Sequence, residues 1–354
     1  MQKVFLWLLI FIPLTVIASA LGASPIVLFF LSAIAIVPLA KFIGESTEAL
    51  AVRMGTAWGS LLNVTFGNAT ELIVGIFAIH AGLIEVVKAT ITGSIIGNLL
   101  LVLGTAMMAG GIRFKKQTFN RTATLASGST LFLAAVALTI PAILPTAAPG
   151  TSAVGAGTLS LLVALCMLVM YACTLIFSLY THKHLYALEN PDVADTKTED
   201  EPQSMLASVG VLALTTLGVA WMSDVLVGAI QPLAAGLGWT PLFIGVIIVA
   251  IVGNAAEHTS AITMALKNKM DLAIQIAVGS ATQVAIFVAP MLVFVSLFFT
   301  VRMDLVFDPF ELASILLSII IVNLVIEDGE SNWLEGAQLL IAYVIMAIAF
   351  FVHP

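Results

Sequence analysis

The chain has 354 residues, 60% of them hydrophobic and only 9% charged, with a formal net charge of -7 and a mean hydropathy of +1.13. Soluble domains carry roughly 25% charged residues. This composition excludes a soluble enzyme or a nucleic-acid binder and describes a polytopic membrane protein.

Eleven apolar runs follow one another, near residues 4–21, 25–43, 56–82, 87–111, 121–144, 157–181, 205–231, 239–266, 271–300, 308–326 and 333–352. Each is near or above the ~20 residues a helix needs to cross the hydrocarbon. A membrane barrel would instead show alternating segments of about ten residues, so the expected fold is all-α with about eleven transmembrane helices. The first run, from Lys3 to Ala18-Ser19-Ala20, has the outline of a signal peptide, but its continuity with a polytopic chain favours a membrane helix. Cys166 and Cys173 lie seven apart in one predicted helix, too far to bridge, and read as packing residues.

Alternating the runs from a cytoplasmic N-terminus puts Lys3, Lys41, Arg53, Arg113, Lys115, Lys116, Arg121, Lys183, Lys197, Lys267 and Lys269 inside, and only Lys88 and Arg302 outside. Positive charge is retained on the cytoplasmic side, so the N-terminus is expected inside and the C-terminus outside. The polar stretch from His182 to Gln203 holds Pro191, Pro202 and six acidic residues and divides the runs into six and five. The organisation expected is an N-terminal helix (1–22), a first five-helix repeat (23–181), an acidic cytoplasmic linker (182–204) and a second five-helix repeat (205–354). Five is odd, so two such repeats in series enter the membrane from opposite sides and form an inverted pair.

Two of these runs carry matching polar breaks 186 residues apart, Gly67-Asn68-Ala69-Thr70-Glu71 and Gly253-Asn254-Ala255-Ala256-Glu257. A central Asp, Lys or Arg in a spanning helix costs roughly 2.5–3.5 kcal/mol. Glu should be comparable, so the same cost at two matching places points to a functional site. At the same offset Glu85 meets Asp271, and Gly93-Ser94 meets Gly279-Ser280. The register then slips: Asn98 follows Ser94 by four residues, whereas Gln283 follows Ser280 by three. A weaker echo, Thr47-Glu48 against Ser223-Asp224, needs a different offset and carries little weight alone. Glu48 and Asp224 read as cation access or as interfacial charges, Glu85 and Asp271 as surface residues, and His258 as a packing residue beside the carboxylate.

Asn68 and Glu71 share a helix face, as do Asn254 and Glu257. Gly67 and Gly253 weaken the helix there, and the carbonyls freed at such a break are ligands for a hard cation. Calcium takes about six to eight oxygens from carboxylates, amides, backbone and water. Glu71 and Glu257, with Asn68 and Asn254 and the lining residues Ser94, Asn98, Ser280 and Gln283, supply them. Other divalent ions stay open. With no Lys or Arg nearby, the two carboxylates must bind protons or share a cation, which is the chemistry of an exchanger. No Gly-Lys pair of a phosphate-binding loop and no His-Glu-x-x-His motif occurs, so neither ATP-driven transport nor zinc hydrolysis is expected.

The segments GNATELIVGIFAIHAGLIEVVKATITGSIIGNLLLVLG (67–104) and GNAAEHTSAITMALKNKMDLAIQIAVGSATQVAIFVAP (253–290) resemble the two signature repeats of the cation/proton exchanger (CAX) family of calcium/cation antiporters, over 76 of the 354 residues. The resemblance implies that Glu71 and Glu257 bind calcium and are protonated in exchange. It makes Asn68 and Asn254 neighbouring polar residues of the site, with Ser94, Asn98, Ser280 and Gln283 lining it from the following helices. It implies a secondary active antiporter and no enzyme. Ca2+ and H+ are the transported ions, no cofactor is involved, the partner is the bilayer, and a homo-oligomer stays open. A prokaryotic plasma membrane is expected. A sodium-coupled or broad divalent exchanger and a passive cation channel are the alternatives.

Overall fold

The computed structural model describes residues 2–54, 59, 62, 65–147, 153–182 and 205–353. The acidic linker, apart from His182, lies outside the described residues, as do Lys183 and Lys197. The chain is helical almost throughout: α1 (Gln2–Leu8), α2 (Phe11–Ala20), α3 (Pro25–Met54), α4 (Ala69–His80), α5 (Ile84–Phe114), α6 (Arg121–Ala147), α7 (Ala153–Ile176), α8 (Met205–Leu237), α9 (Pro241–Gly253), α10 (Ala255–Leu266), α11 (Met270–Ser296), α12 (Pro309–Val325) and α13 (Trp333–Val352). Helix is the form in which an apolar chain satisfies its backbone groups within lipid. Among the described residues eight helices are long and apolar enough to cross a membrane, or nine if α9 and α10, bent by 58° at their junction, make one span. The other two expected runs appear as the shorter apolar helices α4 and α12.

The turns sort onto two opposite faces. On one, the turn after α5 pairs as β1 (Gln117–Thr118) with β2 (Glu330–Ser331) between α12 and α13. This two-stranded ribbon lies at a surface turn and departs from the all-helical expectation only there. The turn between α10 and α11 meets the same ribbon, Gln117 donating to the Ala265 carbonyl at 3.0 Å. On the opposite face, loop 297–308 meets the α4–α5 turn and the end of α13. There Lys88 pairs with Asp304 at 2.5 Å and Phe310 stacks on His353. Near the ribbon Lys116 pairs with Glu330 at 2.5 Å and Arg121 approaches Glu327 at 4.0 Å.

The two halves follow one plan. The longest contact is between α3 and α8, which run antiparallel, Leu39 packing near Gly218 and Ile26 near Gly236. Ser32, Ile36, Leu39, Ile43, Ser46, Thr47 and Leu50 are buried in α3; 176 residues on, Ser208, Leu212, Thr215, Val219, Met222, Ser223 and Leu226 are buried in α8. The weak Thr47/Ser223 echo is therefore part of a repeated packing face. Beyond these helices the offset becomes 186. The turn after α4 reverses at Gly82 (φ 75°) and the turn after α10 at Asn268 (φ 57°), two residue types that accept the left-handed region. Within α5 the helix widens to π-turns over Gly97–Val102, and within α11 over Val284–Val288. Such widened turns recur at functional sites.

Candidate functional site

Both breaks are visible in the backbone. Asn68 sits at φ -107°, ψ 21° and Asn254 at φ -94°, ψ 14°, in the sparsely populated bridge region. Each precedes a 12-residue helix, α4 or α10, with the glutamate in its first turn. A 12-residue helix is about 18 Å long, well short of the ~30 Å hydrocarbon. Its N-terminus, with free N–H groups and the positive end of the helix dipole, therefore falls at depth.

Neither asparagine caps its own helix. Their amides reach across to the other half. Asn254 Nδ2 donates to Ser94 Oγ at 2.9 Å and to the Ala250 carbonyl at 2.9 Å, while its Oδ1 accepts from Asn98 Nδ2 at 2.8 Å. Asn98 Nδ2 also donates to Ser280 Oγ at 3.0 Å. Asn68 Nδ2 donates to Gln283 Oε1 at 2.7 Å. Six of the eight residues singled out from the sequence are thus hydrogen-bonded to one another, four in a network and Asn68 with Gln283 as a separate pair, carried by α5 and α11 and by the two breaks. Asn98, Ser94, Asn254 and Asn68 are at most 2% exposed, so these amides and hydroxyls need partners to be stable there.

The two glutamates complete the set. Glu71 is 5% exposed, and a Cβ placed on Gly253 would sit 3.5 Å from its Oε1, so the first carboxylate lies against the break of the second half. Glu71 and Glu257 are near enough for their charges to interact. Both carboxylate oxygens of Glu71 and Oε2 of Glu257 are buried without a hydrogen-bond partner. An ionised carboxylate cannot be left so at depth; a proton or a cation must join it. Among the described residues no cluster of three or more His, Cys, Asp or Glu forms, so any cation held here would draw its remaining ligands from amides, hydroxyls, backbone and water.

A narrow cleft beside Glu71, with room for little more than a water molecule, is lined by Gly75, Val87, Thr90, Ile91, Ser94, Val284, Val288 and Leu292. It lies on the side of Glu71 away from the ribbon. Thr90 is absent from the sequence-derived set, although it sits one turn before Ser94 on the same helix face. Glu85 and Asp271 fall in the first turns of α5 and α11, away from this centre; Asp271 accepts from the Asn120 backbone N–H at 2.5 Å. Glu48 and Asp224 are exposed on the outer sides of α3 and α8.

Comparison with known proteins gives the family. The sodium/calcium exchanger protein family matches residues 24–180 and 207–352. The chain is 47% identical to a Ca2+/H+ antiporter of Synechocystis sp. (strain ATCC 27184 / PCC 6803 / Kazusa), covering all of this chain and 98% of that protein. It is 46% identical to the Ca2+/H+ antiporter ChaA of Bacillus subtilis (strain 168), covering 96% of each. The solved structure of native YfkE superposes with a TM-score of 0.85 at 41% identity, over 99% of this chain and all of that one. The H+/Ca2+ exchanger CAX shares the fold, with a TM-score of 0.71 at 15% identity over 99% and 92% of the two chains. The chain is thus an integral, multi-pass membrane transporter that belongs to the sodium/calcium exchanger family, among its cation/proton exchangers.

Proposed function

We propose that the protein exchanges cytoplasmic Ca2+ for H+ by alternating access to a site at Glu71 and Glu257. The observation that carries this reading is the buried, unpartnered Glu71 carboxylate lying against the break at Gly253, within electrostatic reach of Glu257. The names of the Synechocystis and Bacillus relatives support calcium and protons as the two ions. Calcium bridging the carboxylates would take further oxygens from the asparagine amides and broken-helix carbonyls at about 2.3–2.6 Å. When it leaves, protons replace it, because two bare carboxylates at that depth are too costly. The breaks at Asn68 and Asn254, with α4 and α10 beyond them, are the elements that expose the site to one face at a time. Proteoliposomes with an imposed pH gradient should accumulate calcium, and a protonophore should collapse that uptake. Uptake that needs a sodium gradient and ignores protonophore would replace protons by sodium in this scheme, and uptake down the calcium gradient alone would make the protein a channel.

For orientation we infer that the ribbon face is cytoplasmic, in a prokaryotic plasma membrane, with the N-terminus inside and the two repeats inverted about the site. The Lys and Arg distribution supports it. In intact cells a cysteine at Asp328, on the ribbon face, should resist an impermeant thiol reagent while one at Arg302 reacts; the reverse result inverts the topology.

A further inference from the structure

The two halves hold each other at their turns. Loop 301–306 follows α11 and reaches the α4–α5 turn, where Lys88 Nζ donates to Asp304 and to the Val306 carbonyl at 2.6 Å. Loop 115–120 follows α5 at the equivalent position, 186 residues earlier, and reaches the α10–α11 turn. Besides the Asn120 N–H, which donates to Asp271 of α11, it makes this contact through Gln117. This side chain is 3% exposed; its Nε2 donates to the Ala265 carbonyl at 3.0 Å and to Asn268 Oδ1 at 2.9 Å. Ala265 is in the last turn of α10, and Asn268 makes the left-handed reversal just beyond it.

The fit leaves no slack. A Cβ on Gly110 would lie 1.9 Å from Gln117 Oε1, so a glycine in α5 is what lets the amide reach inward. The carbonyl at Ala265 and the Asn268 oxygen are both acceptors, which fixes the amide with its nitrogen toward α10. Helix α10 is therefore pinned at both ends. Asn254 ties its first turn to Ser94 and Asn98 of the opposite half, and Gln117 ties its last turn to the end of α5. Glu257 lies on the short rigid rod between these pins.

We propose that Gln117 is a positioning residue for the transport reaction: by holding the far end of α10 it sets where Glu257 stands relative to Glu71. Released there, α10 pivots about Asn254 and carries Glu257 away from its partner. Calcium then loses its bridging geometry while each carboxylate remains present. Gln117 touches neither ion and acts only through the helix. This inference rests on the reading of Glu257 as an ion-binding group.

The experiment compares Gln117→Met, which keeps side-chain length and volume but removes both donors, with Asn268→Gly, which keeps the reversal and removes one acceptor. Calcium uptake into proteoliposomes is measured against calcium concentration at several pH values, normalised to inserted protein. Loss of both hydrogen bonds should raise the calcium KM of Gln117→Met about tenfold, with a smaller rise for Asn268→Gly and the maximal rate little changed. The KM of Gln117→Met should also depend less on pH, because calcium then leans less on the carboxylate that protons contest. A merely structural role would lower the amount of inserted protein and leave both KM and its pH profile as in the wild type, and that result overturns the proposal. Should Gln117→Met fail to insert, Asn268→Gly is read by the same two criteria. Glu257→Gln run in parallel separates the two failures: if it abolishes uptake while the Gln117 and Asn268 variants keep the wild-type KM and pH profile, only the positioning role falls, and if it transports normally, both readings fall.

Discussion

The two break motifs, Gly67-Asn68-Ala69-Thr70-Glu71 and Gly253-Asn254-Ala255-Ala256-Glu257, differ at one residue and sit in different environments. Glu71 is buried, and the helix beside it is jammed: a Cβ on Gly93 would come within 2.0 Å of the Val246 carbonyl oxygen of α9. Glu257 is partly exposed, and a Cβ on the matching Gly279 would meet nothing within 4 Å among the described residues. Asn254 is fixed by Ser94, Asn98 and Ala250, and Asn68 has Gln283 among its partners. Under the alternating access proposed above, matching motifs in two packings are what a molecule needs if it is to open toward one face and later toward the other. On that reading the chemistry is shared between the halves and access is not.

The largest effect tests the shared chemistry. Glu71→Gln and Glu257→Gln each keep size and one acceptor oxygen while removing the charge that binds calcium and takes the exchanged proton. Both should reduce calcium transport to background in inserted protein, despite their different exposure. Wild-type calcium affinity should fall as pH falls, because protons and calcium compete for the same oxygens. Near-normal transport by either variant would break the equivalence of the two carboxylates.

The next comparison is between the asparagines. Asn254→Ala leaves the buried Ser94 without the Asn254 amide and Asn98 with Ser280, at about 1–3 kcal/mol per unsatisfied group, so transport should fall about 10- to 100-fold. Asn68→Ala breaks the bond to Gln283 and should lower transport at least about fivefold. Calcium KM measured for both reads what each asparagine contributes to holding the ion; an unchanged KM in either variant would remove that asparagine from the site.

The smallest effect concerns packing alone. Gly93→Ala forces α5 away from α9 and should destabilise the protein by about 1–3 kcal/mol or more, whereas Gly279→Ala should stay within about 0.5 kcal/mol of wild type. Thermal unfolding in detergent reads the difference directly. Equal stabilities would mean that the two halves pack alike in solution.

The amino-acid sequence by itself determined the membrane class and the helical fold, and it named the residues proposed for the site. Long apolar runs admit only helices in lipid, and a carboxylate at that depth is too costly to be incidental. The 186-residue repeat made Glu71, Glu257, Asn68 and Asn254 legible as one set, with Ser94, Asn98, Ser280 and Gln283 beside them. The same pattern held Gly82 and Asn268 at matching turns, legible only once their backbone angles were known. Tertiary structure alone decided the rest. Which amide bonds which hydroxyl depends on how the halves are docked, and no spacing within one segment reports it. Gln117 lies in a polar turn with no counterpart in the motif, and it matters because folding brings that turn beneath α10. The 176-residue match of α3 and α8 is carried by burial rather than by residue identity, since lipid and core ask only for small and apolar side chains along one face. That Glu71 is buried whole while Glu257 is only partly so cannot be read from two near-identical motifs, because it is a property of the packing around them.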